Sequence, residues 1–315
     1  MGMGTFGRAL RLLRPRPEEP PSTDALREVM RLELRTRGLV DSLFSGGHAS
    51  VFRGRGVEFS HVRGYQVGDD VRAIDWKVTA RRGAPHVRQF VEERDLLVVL
   101  VVDVSASGRL GPGEKSPAEV ANEIAAALAF AAARSNDRVE LLLVSDRVEH
   151  HVPPGSGRRH VLRLLADLVS HEPRGRGTDL TVALERLERS RSGRATVFLV
   201  SDFIRAGPPE ALRDGLLRVG RVHDLVAVRL LSAASLELPP LGWIETTDPE
   251  SGRRVIFDAG RRAVRERYRH SVLRAQTETA ALLGEAGAEL VDVDTAADPL
   301  AVLTRFFRLR RGTFA

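Results

Sequence analysis

The sequence predicts an α/β fold: a doubly wound, mainly parallel sheet with a small N-terminal β-containing subdomain and an inserted β-hairpin. Three observations predict it. From Leu96 onward, short aliphatic runs alternate with helix-length amphipathic segments, the pattern of a sheet covered by helices on both faces. The first run, Leu96 to Val102, is continuously apolar and of strand length, as in strands buried on both sides. Late in the chain, Asp248-Pro249-Glu250-Ser251-Gly252 separates two strand-like pieces, Gly242 to Thr246 and Arg254 to Phe257. That is a strong turn signal and marks a hairpin interrupting the alternation.

The first elements lie upstream of that run. Pro15, Pro17, Pro20 and Pro21 mark an N-terminal boundary, and Thr23-Asp24 opens a short helix through about Arg37 with Leu26, Val29, Met30 and Leu34 on one face. The glycine-punctuated stretch Val51 to Glu93 carries short strand-like pieces at Val57 to Phe59, Ile74 to Trp76 and His86 to Val91. It is too short and polar to bury a core of its own, so it is expected to pack onto the main domain that begins at Leu96. Ser116-Pro117-Ala118-Glu119 has a capping serine, a first-turn proline and a glutamate three residues after the cap, which starts a helix through about Arg134. Strands are expected at Val139 to Val144, Thr196 to Val200, Asp224 to Leu230 and Glu289 to Val293, with an antiparallel edge strand at Val148 to Val152. Helices are expected at Val161 to Val169, Leu180 to Leu187, Pro208 to Leu217, Arg261 to Leu283 and Pro299 to Leu309. The expected division is a tail and short helix over 1–37, a subdomain over 38–95, and the main domain over 96–311 with the hairpin inserted at 236–258.

Composition narrows the function classes. At 43% hydrophobic and 29% charged residues the chain is an ordinary globular protein. It has no cysteine, which excludes disulfides and thiolate metal sites. No apolar run approaches the roughly 18 residues that cross a bilayer. The basic N-terminus also lacks the apolar core of a secretion signal, so the expected location is the cytoplasm. The net charge of +6 comes almost wholly from arginine. Those arginines are interspersed with 42 acidic residues and form no long block, which argues against an arginine-rich nucleic-acid binder.

Polar oxygens cluster where strands end. The first buried run leads into Asp103-Val104-Ser105-Ala106-Ser107, a later one into Ser201-Asp202-Phe203, and Gly177-Thr178-Asp179-Leu180 precedes a helix between them. In an open parallel sheet, ligands bind beyond the carboxyl ends of the strands where the strand order reverses. Asp103, Ser105, Ser107, Thr178 and Asp202 together offer two carboxylates and three hydroxyls, the hard oxygen donors preferred by Mg2+ or a similar divalent cation. Such a site keeps few direct charges on the metal and leaves it open to an outside carboxylate or to water. Each segment alone is weak, because serine and aspartate after a strand commonly cap a helix or turn.

In that order, these residues resemble a von Willebrand A domain with its metal-ion-dependent adhesion site. Within that superfamily the chain is similar to the bacterial family named domain of unknown function fifty-eight. The residues that carry this likeness are Gly56-Val57-Glu58-Phe59, Arg63-Gly64-Tyr65, the run Gly68 to Trp76 and Ala80-Arg81. The resemblance implies a role beside MoxR-type ATPases of the AAA+ class, as partner or adaptor in chaperone-like assembly. It implies metal loops at Asp103, Ser105 and Ser107, at Thr178, and at Asp202. Two departures stand out: Gly108 follows the second serine, and Arg176 precedes Gly177 where a second glycine is usual. In the upstream block, Asp69, Asp70, Arg72, Asp75, Trp76 and Arg81 are candidates for a partner-docking surface. They equally suit a buried ion-pair network anchored by Trp76.

The expected function is therefore non-enzymatic, metal-dependent protein binding. A magnesium-dependent hydrolase or phosphatase is the main alternative. It is disfavoured because Ser105 stands where a dehalogenase-type phosphatase has its second aspartate, and because no phosphate-cradling glycine loop is present. A histidine metal site is not expected either, since the rings of adjacent His150 and His151 would face opposite sides of a strand.

Overall fold

The run at Leu96 does become the central strand. The computed structural model describes residues 22–44, 52, 62–66, 74, 76–88, 96–106, 115–175, 177–190, 193–204, 209–232, 236–247 and 254–312. In chain order the elements are α1 (Thr23–Phe44), β1 (Val62–Gly64), α2 (Trp76–Arg82), β2 (His86–Arg88), β3 (Leu97–Asp103), α3 (Pro117–Arg134), β4 (Arg138–Val144), β5 (Val148–Gly155) and α4 (Gly157–Ser170). Then come α5 (Thr181–Arg189), β6 (Ala195–Ser201), α6 (Pro209–Val222), β7 (Asp224–Leu231), β8 (Trp243–Thr247), β9 (Arg254–Asp258), α7 (Arg262–Glu285), β10 (Glu289–Asp294) and α8 (Pro299–Gly312).

Six strands make the main sheet in the order β10-β7-β6-β3-β4-β5. All neighbours are parallel except β5, which runs antiparallel to β4 at the edge. The fold is thus the doubly wound, mainly parallel α/β sheet that the alternation predicts. Aliphatic side chains of β3, β4, β6 and β7 point alternately to two faces, and each face is sealed by its own core. One core packs against α1, α3, α4 and α8, the other against α5, α6 and the C-terminal end of α7. The chain moves from β3 to β4 on one side and returns to β6 on the other, so strand order reverses between β3 and β6.

α3 lies deep because its sequence is small and apolar all round: twelve of its residues, Val120 to Ala132 with Asn122 excepted, are buried. Alanine lets it sit between the sheet and α1 without overpacking. Its start is the expected capping box: the Ser116 Oγ accepts from the Glu119 amide, and the Glu119 carboxylate accepts from the Ser116 amide at 2.7 Å.

Several elements differ from expectation. α1 runs past Arg37 to Phe44, because Leu39, Val40 and Leu43 bury against the core. Its inward face is Ala25, Val29, Leu32, Thr36, Leu39, Val40 and Leu43, whereas Leu26, Met30 and Leu34 are exposed. Both stripes have helical spacing, and only packing decides between them. α7 buries Leu283 alone, so it is not the amphipathic core helix its period suggests. The piece at Ile74 to Trp76 is not a strand: Ile74 makes an isolated bridge and Trp76 opens α2. Val57 to Phe59 lies outside the described residues. Upstream of β3, Phe52 is fully buried, its ring edge-on to Phe198 and Phe307, and its carbonyl accepts from the Thr196 hydroxyl at 3.0 Å. Among the described residues, no helix is long and apolar enough to cross a membrane.

Candidate functional site

Asp103 is the last residue of β3 and Ser201 the last of β6, and the two strands are parallel neighbours. Both therefore emerge at the carboxyl edge of the sheet, at the reversal between β3 and β6. The Ser201 hydroxyl donates to Asp103 Oδ2 at 2.6 Å, and the Ser105 amide donates to Asp103 Oδ1 at 2.9 Å. Asp202 comes next in the chain, and its Oδ1 accepts from the Ile204 amide at 2.9 Å. Between them, Phe203 adopts a left-handed φ of 57°, a strained conformation for a bulky residue. Burial of its ring and the 2.9 Å bond from its amide to Ser201 Oγ hold it there. That tight turn fixes the direction of Asp202.

Asp103, Ser105, Ser201, Asp202, Pro117, Ala118 and Leu230 line one narrow cleft, with room for about one water-sized particle (about 10 Å³). Two carboxylates and two hydroxyls face it, and no arginine or lysine among the described residues does. Burial pushes the Asp103 carboxyl above its ordinary value; the hydrogen bonds from Ser201 and Ser105 oppose this only in part. The first turn of α3, at Pro117 and Ala118, adds the positive end of a helix dipole. These hydroxyl and carboxylate oxygens suit a hard divalent cation. Among the described residues no group of three or more histidines and carboxylates forms a metal cage, so any cation here would rest on two aspartates and hydroxyls.

Not every expected ligand reaches this cleft. Asp103, Ser105 and Asp202 line it. Thr178 is buried on the adjacent loop, where the Asp179 amide donates to the Ser145 carbonyl at 2.9 Å just beyond β4, but it is not among the lining residues. Ser107 and Arg176 lie outside the described residues, as do Asp69, Asp70, Arg72 and Asp75 of the upstream block. Trp76 is 69% exposed and so is no buried anchor; it stands at the open start of a seven-residue helix. Arg81 is exposed in the last turn of that helix.

Reading the sequence missed Ser201, the residue in most direct contact with Asp103. Its only signal was its place beside Asp202 at a strand end, and the register that sets it opposite Asp103 is not visible in one chain. Glu149 was missed too. Its side chain is buried and accepts from Ser145 Oγ at 2.6 Å, from the Gly175 amide at 2.6 Å and from the Arg174 amide at 3.1 Å. Burial raises its carboxyl, but those bonds and His171 outweigh it and leave it below the ordinary range. Glu149 thereby moors the loop that leads to Thr178. Gly175 is required at that point, because a Cβ would collide with Ser145, Asp146 and Glu149 side-chain oxygens.

His150 and His151 do face opposite sides of β5. His150 meets Asp167 of α4 at 3.0 Å, and His151 meets Glu140 at 2.8 Å and Arg186 of α5 at 2.7 Å.

An uncharacterised protein of Mycobacterium tuberculosis is 33% identical over 305 residues, covering 95% of this chain and 93% of that one. An uncharacterised protein of Mycobacterium avium is 28% identical over 164 residues, covering 51% of this chain and 94% of that one. Among solved structures, the conserved hypothetical protein BatB from Bacteroides thetaiotaomicron is similar with a TM-score of 0.43 and 11% identity, over 69% of this chain and 99% of that one. The SpRpn10 VWA domain is similar with a TM-score of 0.40 and 10% identity, over 66% of this chain and 93% of that one. The family described as protein of unknown function DUF58 matches residues 61–278. On that match, and on its likeness to the Mycobacterium tuberculosis protein over nearly its whole length, the chain belongs to the DUF58 family.

Proposed function

We propose that this protein is a non-enzymatic, cation-dependent protein-binding module that serves as partner or adaptor of a MoxR-type AAA+ ATPase. The observation that carries the reading is the cleft at the β3–β6 reversal, which two carboxylates and two hydroxyls line together. Burial disfavours the charged form of Asp103, and the hydrogen bonds from Ser201 and Ser105 offset that only in part. A divalent cation such as Mg2+ would offset that cost and take these oxygens as ligands. Asp103, Ser105 and Asp202 would hold the ion, and Ser107 and Thr178 are the further donors that the likeness to a metal-ion-dependent adhesion site implies. Ser201 orients Asp103, and the turn at Phe203 orients Asp202.

The bound ion would supply a positive centre with a free coordination position, matched to a carboxylate on a partner protein.

The test is thermal unfolding with MgCl2, MnCl2 or EDTA, followed by capture of a purified MoxR-type ATPase. Saturating cation should raise the melting temperature of the wild type by several degrees, since about 100-fold excess over Kd adds about 2.7 kcal/mol. Asp103→Ala and Asp202→Ala should abolish both the shift and EDTA-sensitive capture. Capture that survives EDTA and Asp103→Ala undiminished would refute the bridge.

A further inference from the structure

The hairpin of β8 and β9 is separate from the six-stranded sheet. Its register sets Trp243 opposite Asp258 and Glu245 opposite Ile256, so Trp243 and Ile256 share one face. On that face Trp243 is 72% and Ile256 63% exposed, and Leu241, just before the strand, is 73% exposed; its two carboxylates, Glu245 and Asp258, are paired with Arg254 and Arg261. The opposite face carries Ile244 and Phe257, both half-buried, and Val255, which is 47% exposed. The apolar group on the outer face is thus in excess of what the hairpin needs to pack, and grouped exposed apolar side chains of this kind mark contact sites.

The Trp243 end of the hairpin adjoins α7. Asp258 closes β9 and pairs with Arg261 at 3.1 Å, and α7 begins at the next residue. This helix has 24 residues, about 36 Å of length, yet only Leu283 near its end is buried. Residues 254–274 include seven arginines against two carboxylates, Asp258 and Glu266. Both carboxylates are already engaged, by Arg261 and Arg262. Arg267, Arg269 and Arg274 have no carboxylate partner among the described residues. Arg267 and Arg274, seven residues apart and about 10 Å along the axis, share one side of the helix, and their unbalanced charge extends along α7 away from the hairpin.

We propose that this ridge, the outer face of the hairpin together with the arginine-rich half of α7, is a second docking surface that takes a protein segment combining carboxylates with apolar side chains. Tryptophan and arginine dominate the energetics of protein interfaces. The guanidinium forks match carboxylates bidentately, while Trp243, Ile256 and Leu241 supply the apolar anchors. An anionic membrane fits less well, because α7 carries arginines on several sides and presents no apolar face. Nucleic acid leaves the aliphatic anchors without a role, since phosphate contacts dominate that binding. No residue of the cation cleft takes part, so this surface stands or falls independently of the metal reading.

The full chain is tested by fluorescence anisotropy against a labelled peptide of glutamate, leucine and phenylalanine. Controls replace glutamate by lysine, or leucine and phenylalanine by serine. Only the parent peptide should bind, and about tenfold or more of its affinity should be lost in Trp243→Ser/Ile256→Ser and, separately, in Arg267→Glu/Arg274→Glu. All these positions are exposed, and circular dichroism confirms that the variants stay folded. EDTA and Asp103→Ala should leave the affinity unchanged. The proposal is overturned if the parent peptide does not bind at about 0.1 mM, or if both variants bind as the wild type does. It is equally overturned if a short duplex DNA or phosphatidylglycerol vesicles compete better than the peptide. Self-association abolished by Trp243→Ser would assign the face to a second copy of this chain and also overturn it.

Discussion

Asp103 carries a conflict between stability and function. Its carboxyl is raised by burial, so its charged form is disfavoured in the fold. This destabilisation is complete above the folded pKa, is relieved as pH falls through it, and is absent below the ordinary 3.8 of the unfolded chain. Asp103→Asn removes the charge and keeps hydrogen-bonding capacity, because the Ser201 hydroxyl can turn from donor to acceptor. We expect the metal-free protein to melt about 2 °C or more higher in this variant, while the shift with magnesium disappears; parallel thermal scans with EDTA and with MgCl2 check both. A lower melting point in EDTA would show that the carboxylate is structural. His223 behaves in the opposite sense. Burial, then Arg194, lowers its pKa, and Glu140 only partly opposes them. Its contribution is complete above the ordinary 6.5 and is lost as pH falls through that value toward the lower folded one. His223 Nδ1 accepts from the Ala195 amide at 3.2 Å, and asparagine offers an acceptor in a similar place. Urea midpoints of His223→Asn should therefore vary less with pH than the wild type between about pH 5 and 7.

Elements differ in how openly the sequence declares them. α3 is the plainest: Ser116, Pro117 and Glu119 spell its start, and the structure closes both halves of the capping box. Ser116→Ala should cost about 1 kcal/mol in chemical denaturation; no loss would mean that packing alone holds this helix end, which flanks the cation cleft. The buried strands were legible because a parallel strand covered on both faces has to be apolar throughout. α1 was legible as a helix but not in its orientation, since Leu26, Met30 and Leu34 compete with Val29, Leu32 and Leu39 for the core. α7 was misjudged for a related reason: helical period records which residues share a side, not whether another element comes to cover it.

Across the whole molecule, Arg229 is the principal tie between distant parts. It is buried on β7, forks the Asp292 carboxylate of β10 at 2.8 and 2.9 Å, and donates to the Gln276 carbonyl of α7 at 2.6 Å. Asp292 is 45% exposed at its side chain, so water can rescue it when the arginine is lost. Arg229→Ala should therefore cost about 2 kcal/mol, below the roughly 3–5 kcal/mol of breaking a fully buried pair. Equilibrium unfolding measures the loss, and hydrogen exchange should rise first in α7.

The sequence by itself determined the α/β class, the alternation of elements, the edge position of β5, the strand-end location of Asp103 and Asp202, and the place of Thr178 on the loop before α5. Each of these comes from local chemistry: apolar runs, caps, turn residues and polar side chains where a strand stops. Only the tertiary structure decided that Ser201 lies against Asp103, that Glu149 moors the loop before Thr178, that Trp76 is bare, and that the hairpin and α7 form an exposed ridge. Those outcomes depend on strand register and on which surfaces meet, and free energy gained by pairing distant segments leaves no mark on either segment alone.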